Sequence, residues 1–387
     1  MAGRTVKKDQ NTKKWYFILT HGKKEDGKPR QFKKRGFKTK QEAHKAMLEL
    51  EQSLTLGTYI QPNKILYKEY LLERFLEDKM TKVKKQTLNT YRWIVEKHII
   101  PAIGDVELTK LNPMIIQGLY NKLTKEKALS DENIQKVHTL INDSLKKAER
   151  WGLIARNPAA LVDRPKAVKK EITVWNVEEV RQFLKYAKKS GRYYIAFLLA
   201  LTTGMRQGEI LGLRWKDVDF ENSCVRITQT LSSDGKDLLP YTKTKSGSRT
   251  IDLPEETVTA LKKHWLFIRG EREKNRSYKN LDLVVCTEFG TPTHKSNIRR
   301  VFRSIIKKAD IPKIRFHDMR HTHATLLLLQ GVNPKIVSER LGHADVRITL
   351  DTYSHLLPSM QKDTALKFGQ MLFGEDDELR IEINLDL

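Results

Sequence analysis

The chain has 387 residues, 72 Lys and Arg against 47 Asp and Glu, a formal net charge of +25 and a pI near 9.8. That length predicts about two or three domains, and that charge predicts a polyanionic partner, most often nucleic acid. The two cysteines, Cys224 and Cys286, are far apart and exclude a disulfide framework or a Cys-based metal site. The longest apolar runs, Tyr193–Leu201 and Leu326–Leu329, are too short to span a bilayer, and no apolar leader follows Met1. The expectation is a soluble protein of a reducing cytoplasm with no membrane partner.

Residues 1–57 read as a small basic module. The first 45 residues hold 15 Lys or Arg against 4 acids. Trp15–Thr20, a Gly-containing turn and Gln31–Phe37 read as strand, turn, strand. A helix follows over Thr39–Leu54, with Thr39 and Glu42 spaced as a capping box and Ala43, Ala46, Met47 and Leu50 as its apolar stripe. A β-ribbon with this charge fits a DNA groove, and Lys13, Lys14, Lys33, Lys34 and Arg35 are its candidate contacts.

After the linker GTYIQPNK, four helices with short connections predict an all-α unit over residues 64–160. They are Leu66–Met80, then Thr87–Gly104 stopped by Pro101 and Gly104, then one opening on Asn112 and Pro113, then Ser130–Ile154 ended by Gly152. Lys82, Lys84, Lys85, Arg92 and Lys97 are candidate phosphate contacts. Residues 161–171, rich in Pro and charge, read as a linker.

The third unit spans residues 172–373. A helix over Thr173–Lys189 opens with Asn176 and Glu179 in capping-box spacing. A buried helix follows, TTG breaks it, and MRQGEILGL starts another with Arg206 at its N-terminus. A buried arginine is costly without an anion. The residues alone leave two readings open, a structural ion pair with Glu209 or an anion site. Cys224–Thr230 and Arg249–Leu253 read as strands around the turn TKTKSGSR, and LVVC as a further strand before a helix from Ser296. His317 and Arg320 are three apart and share a helix face. Helical segments Thr325–Gln330, closed by Gly331, and Pro334–Leu341 lead to His343, with Tyr353 ten residues on. Arginine offers a planar fork to phosphate oxygens, and tyrosine is an oxygen nucleophile able to hold a covalent intermediate, so the set suits a phosphodiester. His317 and His321 are four apart, but no HExxH glutamate or Cys partner accompanies them. No metal or other cofactor is expected, and His321 is expected to pack or lie near DNA.

The segment HDMRHTHATLLLLQGVNPKIVSERLGHADVRITLDTYSH resembles the catalytic signature of tyrosine recombinases, the phage-integrase family. TGMRQGEILGLRWKDVD resembles that family's first arginine box, TYRWIVEKHIIPAIGDVELTKLNP its core-binding domain, and residues 1–57 its arm-site domain. The resemblance implies a multidomain fold, mainly α with small β-sheets. Its parts would be an N-terminal sheet-plus-helix arm domain, a SAM-like helical core-binding domain and a mixed α/β catalytic domain. It implies that Tyr353 attacks the scissile phosphate while Arg206, oriented by Glu209, and Arg320 clamp its oxygens. His317 and His343 would donate hydrogen bonds, and His317 would also serve as proton acceptor for the phenol. Lys245, with Lys243 competing for the role, would protonate the leaving 5′ oxygen. The implied partners are double-stranded attachment-site DNA, three further copies in a homo-tetramer on DNA, an accessory excision factor and a DNA-bending host protein. The implied setting is the bacterial cytoplasm, on the nucleoid when bound. The acidic tail 374–387, with alternating Leu379, Ile381, Ile383 and Leu385, is expected to exchange between protomers as an edge strand. The competing classes are a catalytically silent DNA-binding regulator of the same fold and a type IB topoisomerase.

Overall fold

The computed structural model describes residues 3–23, 27–56, 59, 64–126, 129–166, 172–232, 234–240, 248–353 and 357–373. Lys243, Lys245, linker residues 167–171 and the tail 374–387 lie outside the described residues. The chain divides into two compact units, 1–169 and 170–387.

The first unit opens with strands β1 (Arg4–Lys8), β2 (Trp15–Lys23) and β3 (Pro29–Phe37) in an antiparallel sheet of that order, followed by helix α1 (Lys40–Thr55). The capping box forms as spaced: Thr39 accepts from the Glu42 amide and Glu42 from the Thr39 amide. Alternation on β2 buries Phe17 and Leu19, which meet Met47 of α1. The opposite face carries Tyr16 and Ile18, whose partners on β3 are Arg35 and Lys33. Lys33 Nζ and the Arg35 guanidinium stand 5.1 Å and 5.9 Å from the Tyr16 ring centre. Lys34 pairs with Phe17 and so sits on the other side of the sheet from Lys33 and Arg35. Strand β1 was not foreseen. Its basic sequence hides a single inward Val6, as suits an edge strand that charge protects from further pairing.

Helices α2 (67–80), α3 (85–103), α4 (Pro113–Lys125) and α5 (Asp131–Arg150) follow around one core. Asn112 caps α4, with Pro113 in its first turn. Buried Tyr67 and Tyr70 tie α2 to α5 through Ser144, both at 2.7 Å. Pro101 does not stop α3, which runs on to Ile103. The wide π-type turn Val95–Ile99 just before it accommodates a residue that lacks an N–H. Lys82 is tied to Asp78, which also takes Lys147 at 3.1 Å, whereas Lys84, Lys85, Arg92 and Lys97 are exposed. The chain stays attached past Asn157: Ala159 is buried in this core, and the Pro165 carbonyl accepts from Gln135 at 2.8 Å.

The second unit contains α6 (Val177–Ala187), α7 (Tyr194–Thr203) and α8 (Gln207–Gly212). Then come β4 (Val218–Asp219), β5 (Cys224–Ile227), β6 (Gln229–Leu231), β7 (Leu238–Pro240) and β8 (Arg249–Asp252). Helices α9 (Glu255–Lys274), α10 (Lys295–Ala309), α11 (Asp318–Leu329), α12 (Pro334–Leu341), α13 (Val346–Tyr353) and α14 (Leu357–Phe373) complete it. Trp175, Phe183, Phe197, Phe302 and Phe316 interlock at the centre. The Asn176–Glu179 capping box forms. The strand expected over Cys224–Thr230 is split. β5 joins β4 and β8, and β6 pairs with β7, because Thr228 between them is held by Arg214 and Asp217 at 2.9 Å and 3.0 Å. LVVC does not form a strand. Its backbone groups are taken singly, the Val284 amide by Leu213 and its carbonyl by the His264 ring, so no ladder extends. No helix among the described residues is long and apolar enough to cross a membrane.

Candidate active site

Helix α7 ends on Gly204 in the left-handed region, φ 66°, and α8 begins two residues later with Arg206 at its N-cap. That reversal turns Arg206 toward α12. Gly204 is also crowded: a Cβ there would lie 2.6 Å from Leu341 and 2.7 Å from His323. Gly204→Ala is therefore expected to destabilise the chain by about 2–4 kcal/mol, from backbone strain plus overpacking. Denaturant unfolding measures this, and a loss of only about 1–2 kcal/mol would mean that Leu341 and His323 give way and backbone strain alone remains.

Glu209 lies one turn into α8 and is 0 % exposed. Its carboxylate accepts from Arg206 Nη1 at 2.9 Å and the Arg206 amide at 2.9 Å. Arg249, at the start of β8, adds Nη2 at 2.9 Å and Nη1 at 3.3 Å. Burial pushes this carboxyl up, but Arg249 and Arg206 outweigh it and hold the group at about 2. Each guanidinium is also fastened to backbone: Arg206 Nη2 donates to the Gly342 carbonyl at 3.1 Å and Arg249 Nε to the Arg340 carbonyl at 2.8 Å. Both readings of Arg206 thus meet in one arrangement. Glu209 takes one side of the guanidinium, while the Arg206 side chain remains 38 % exposed.

Arg320, on α11, is buried. Its Nη1 donates to the Gly204 carbonyl at 2.8 Å, and its buried Nη2 has no hydrogen-bond partner among the described residues. Burial, then repulsion from Arg206, pulls this guanidinium down to about 9. A buried cation with a vacant donor beside a second cation is a place for an anion.

Three imidazoles surround it. His317 starts α11, its ring edge-on to His321 at 5.1 Å; burial, then His321, lowers it to about 4. His343 follows Gly342, which closes α12 with φ 70°. His343 Nδ1 shares a hydrogen bond of 2.8 Å with the buried Thr349 Oγ1, and burial, then Arg320 and Arg206, lower the ring to about 4. His321 Nδ1 shares a hydrogen bond of 2.8 Å with Tyr353 Oη. His323 is structural: its Nδ1 donates to the Leu201 carbonyl and its Nε2 accepts from Arg340.

Tyr353 ends α13 and is 4 % exposed, its ring set among Ala324, Leu328, Val337 and Leu341. It is a core aromatic with its hydroxyl on the site side. Burial raises its phenol above the ordinary range and Arg320 partly opposes this. The structure thus brings Arg206, Glu209, His317, Arg320, His343 and Tyr353 into one cluster. It places His321, not His317, on the phenol. Arg249 and Thr349 were not foreseen either. Arg249 reaches Glu209 only once β8 has paired with β5, whereas His321 was signalled by its i+4 spacing from His317.

Three family models match the chain: "Phage integrase family" over 171–360, "Phage integrase, N-terminal SAM-like domain" over 69–124, and "Arm DNA-binding domain" over 5–54. A tyrosine recombinase XerC-like protein of Caldanaerobacter subterraneus subsp. tengcongensis is 30% identical over 386 residues, covering 94% of this chain and 98% of that protein. Among solved structures, the Tn1549 transposon integrase in complex with a circular intermediate DNA superposes with a TM-score of 0.64 at 21% identity, covering 77% of this chain and 99% of that one. A lambda integrase tetramer bound to a Holliday junction gives 0.59 at 16%, covering 87% and 92%.

Proposed function

This chain belongs to the phage integrase family, the tyrosine recombinases, and from that membership we propose how its own residues break and rejoin DNA. The enzyme is a site-specific recombinase of the mobile-element integrase type. The observation that carries the assignment of its site is the vacant, buried Arg320 Nη2, set with Arg206 in the cluster that holds the Tyr353 hydroxyl.

In this reading the scissile phosphate enters between Arg206 and Arg320. Its added negative charge in the five-coordinate transition state is met by two fixed guanidiniums and by hydrogen bonds from His317 and His343, in a partly dry site where such terms are largest. Thr349 occupies His343 Nδ1, which leaves Nε2 for the phosphate. Tyr353 Oη bonds to phosphorus as the bond to the 5′ oxygen breaks, and Lys245 gives that oxygen its proton. The product is a 3′-phosphotyrosyl link that keeps the energy of the diester. A 5′-hydroxyl from a second duplex then reverses the step without ATP and builds a Holliday junction. Strand exchange of this kind uses four copies on paired attachment sites, a state in which the similar lambda integrase fold is found. The excision factor and DNA-bending protein belong to the same proposal.

DNA is delivered by the N-terminal unit. The Lys33–Tyr16–Arg35 face of the arm sheet, with Lys13 and Lys14 on the preceding turn, faces one class of site. Lys84, Lys85 and Arg92 of the helical unit face the other. Lys34, on the opposite face, and Lys82, tied to Asp78, are weaker contacts.

The test is covalent trapping on a nicked duplex carrying the element's attachment sequence, without nucleotide cofactors. A detergent-resistant adduct on the 3′ phosphate is expected. An adduct on a 5′ end, or none on a site the protein binds tightly, would overturn the proposal.

A further inference from the structure

We infer that His321 is a further catalytic residue, the base that takes the proton from Tyr353 as the phenol attacks phosphorus. The inference rests on the recombinase reading of Tyr353 and deepens it. Its ground is geometric. His321 Nδ1 is 2.8 Å from Tyr353 Oη, inside the range a proton crosses directly, and the rings lie 5.9 Å apart at 59°. His317, the acceptor the resemblance implied, has its ring edge-on to His321 at 5.1 Å, and the hydrogen bond to Tyr353 Oη among the described residues is made by His321.

The surroundings suit a base that is neutral at rest. Burial lowers the His321 imidazole, so it is uncharged at neutral pH and can accept. Tyr353 needs such a partner, because burial raises its phenol and Arg320 only partly offsets this. The charged and titratable groups facing His321 are His317, Asp318, Arg315 and Arg320 from its own helix and its approach, Tyr353 from α13, and His343 from the turn after α12. Of these, Asp318 favours the imidazolium that forms. The step balances: the Oη–H bond breaks and its proton passes to Nδ1, the Oη–P bond forms, and the P–O5′ bond breaks with its electron pair on O5′, which leaves as the 5′-hydroxyl with the proton from Lys245 in the proposed cleavage. On rejoining, the departing phenolate recovers the same proton.

Single-turnover cleavage of two nicked substrates tests this, one with the natural bridging 5′ oxygen and one with sulfur there, a leaving group that needs no proton. His321→Gln is expected to cleave both about 10²–10⁴-fold more slowly, the range for loss of a general base. Its rate should climb with pH more steeply than that of the wild type, because phenol ionisation is then unassisted. His321→Ala should regain part of the rate when free imidazole is added. His317→Gln should slow the reaction yet keep the wild-type pH slope. Thermal melting and DNA binding report whether each variant is folded. Four results overturn the inference: His321→Gln as fast as wild type or faster, which would make the hydrogen bond a restraint on the phenol; full recovery on the sulfur substrate, which would place His321 on the leaving side; slow cleavage with an unchanged pH slope; or the steep slope appearing in His317→Gln. Absence of any adduct with wild-type protein would instead sink the recombinase reading itself.

Discussion

Tyr353→Phe forms no covalent adduct and exchanges no strands, while it still folds and binds DNA. The change removes one oxygen and leaves the ring that fills the space among Ala324, Leu328, Val337 and Leu341. The loss to folding is one hydrogen bond to His321, worth about 1 kcal/mol. The loss to chemistry is complete in the proposed mechanism, because Tyr353 Oη is the atom that bonds to phosphorus. Trapping assays on wild type and variant, beside melting curves and binding isotherms, separate the two effects. An adduct that persists in the variant would place the nucleophile elsewhere in the chain.

Glu209→Gln loses about 3–5 kcal/mol of stability and most of its cleavage rate. The carboxylate is 0 % exposed and bonds Arg206 and Arg249 together. Removing one partner from a buried ion cluster leaves the other charges uncompensated, and Arg249 is only 8 % exposed. Glutamine keeps the shape and loses the charge, so the two guanidiniums then repel. The same pair makes an acid signature. The folded carboxyl is held at about 2, against an ordinary 4.5. Its folded value is depressed, so its contribution of about 3 kcal/mol is complete above about pH 4.5 and fades as pH falls toward 2. Denaturant unfolding from neutral to acid pH should show the wild type losing that stability, while the difference between wild type and Glu209→Gln closes over the same window. A difference that stays constant down to the acid end would show that the variant fails through shape rather than charge.

What the sequence made legible divides by distance along the chain. Thr39 with Glu42 and Asn176 with Glu179 were readable because a capping box is closed by residues three apart. Asn112 and Pro113 opened a helix for the same local reason. The candidate site residues were legible only through the resemblance of their motifs to the recombinase family's, since the residues alone left Arg206 open between an ion pair and an anion site. Arg249 was not, since 40 residues separate it from Glu209 and only strand pairing brings them together. Strand β1 was hidden by its charge, and Pro101 misled because a wide turn ahead of it absorbs the missing donor. The LVVC run looked like a strand because apolar content says that a segment is buried, not which backbone partners it finds.

The two arginines of the site are each anchored on a carbonyl at the end of a helix, Arg320 on Gly204 and Arg206 on Gly342. Long side chains normally surrender about 2 kcal/mol of rotamer freedom when they grip a ligand. If the two arginines hold the scissile phosphate as proposed, these carbonyl bonds order them before any DNA arrives. A grip this rigid is also indiscriminate, because one phosphate offers it the same oxygens as any other. Choosing among sequences must therefore happen before the phosphate reaches the arginines, in the surfaces that decide which diester is presented and in what register.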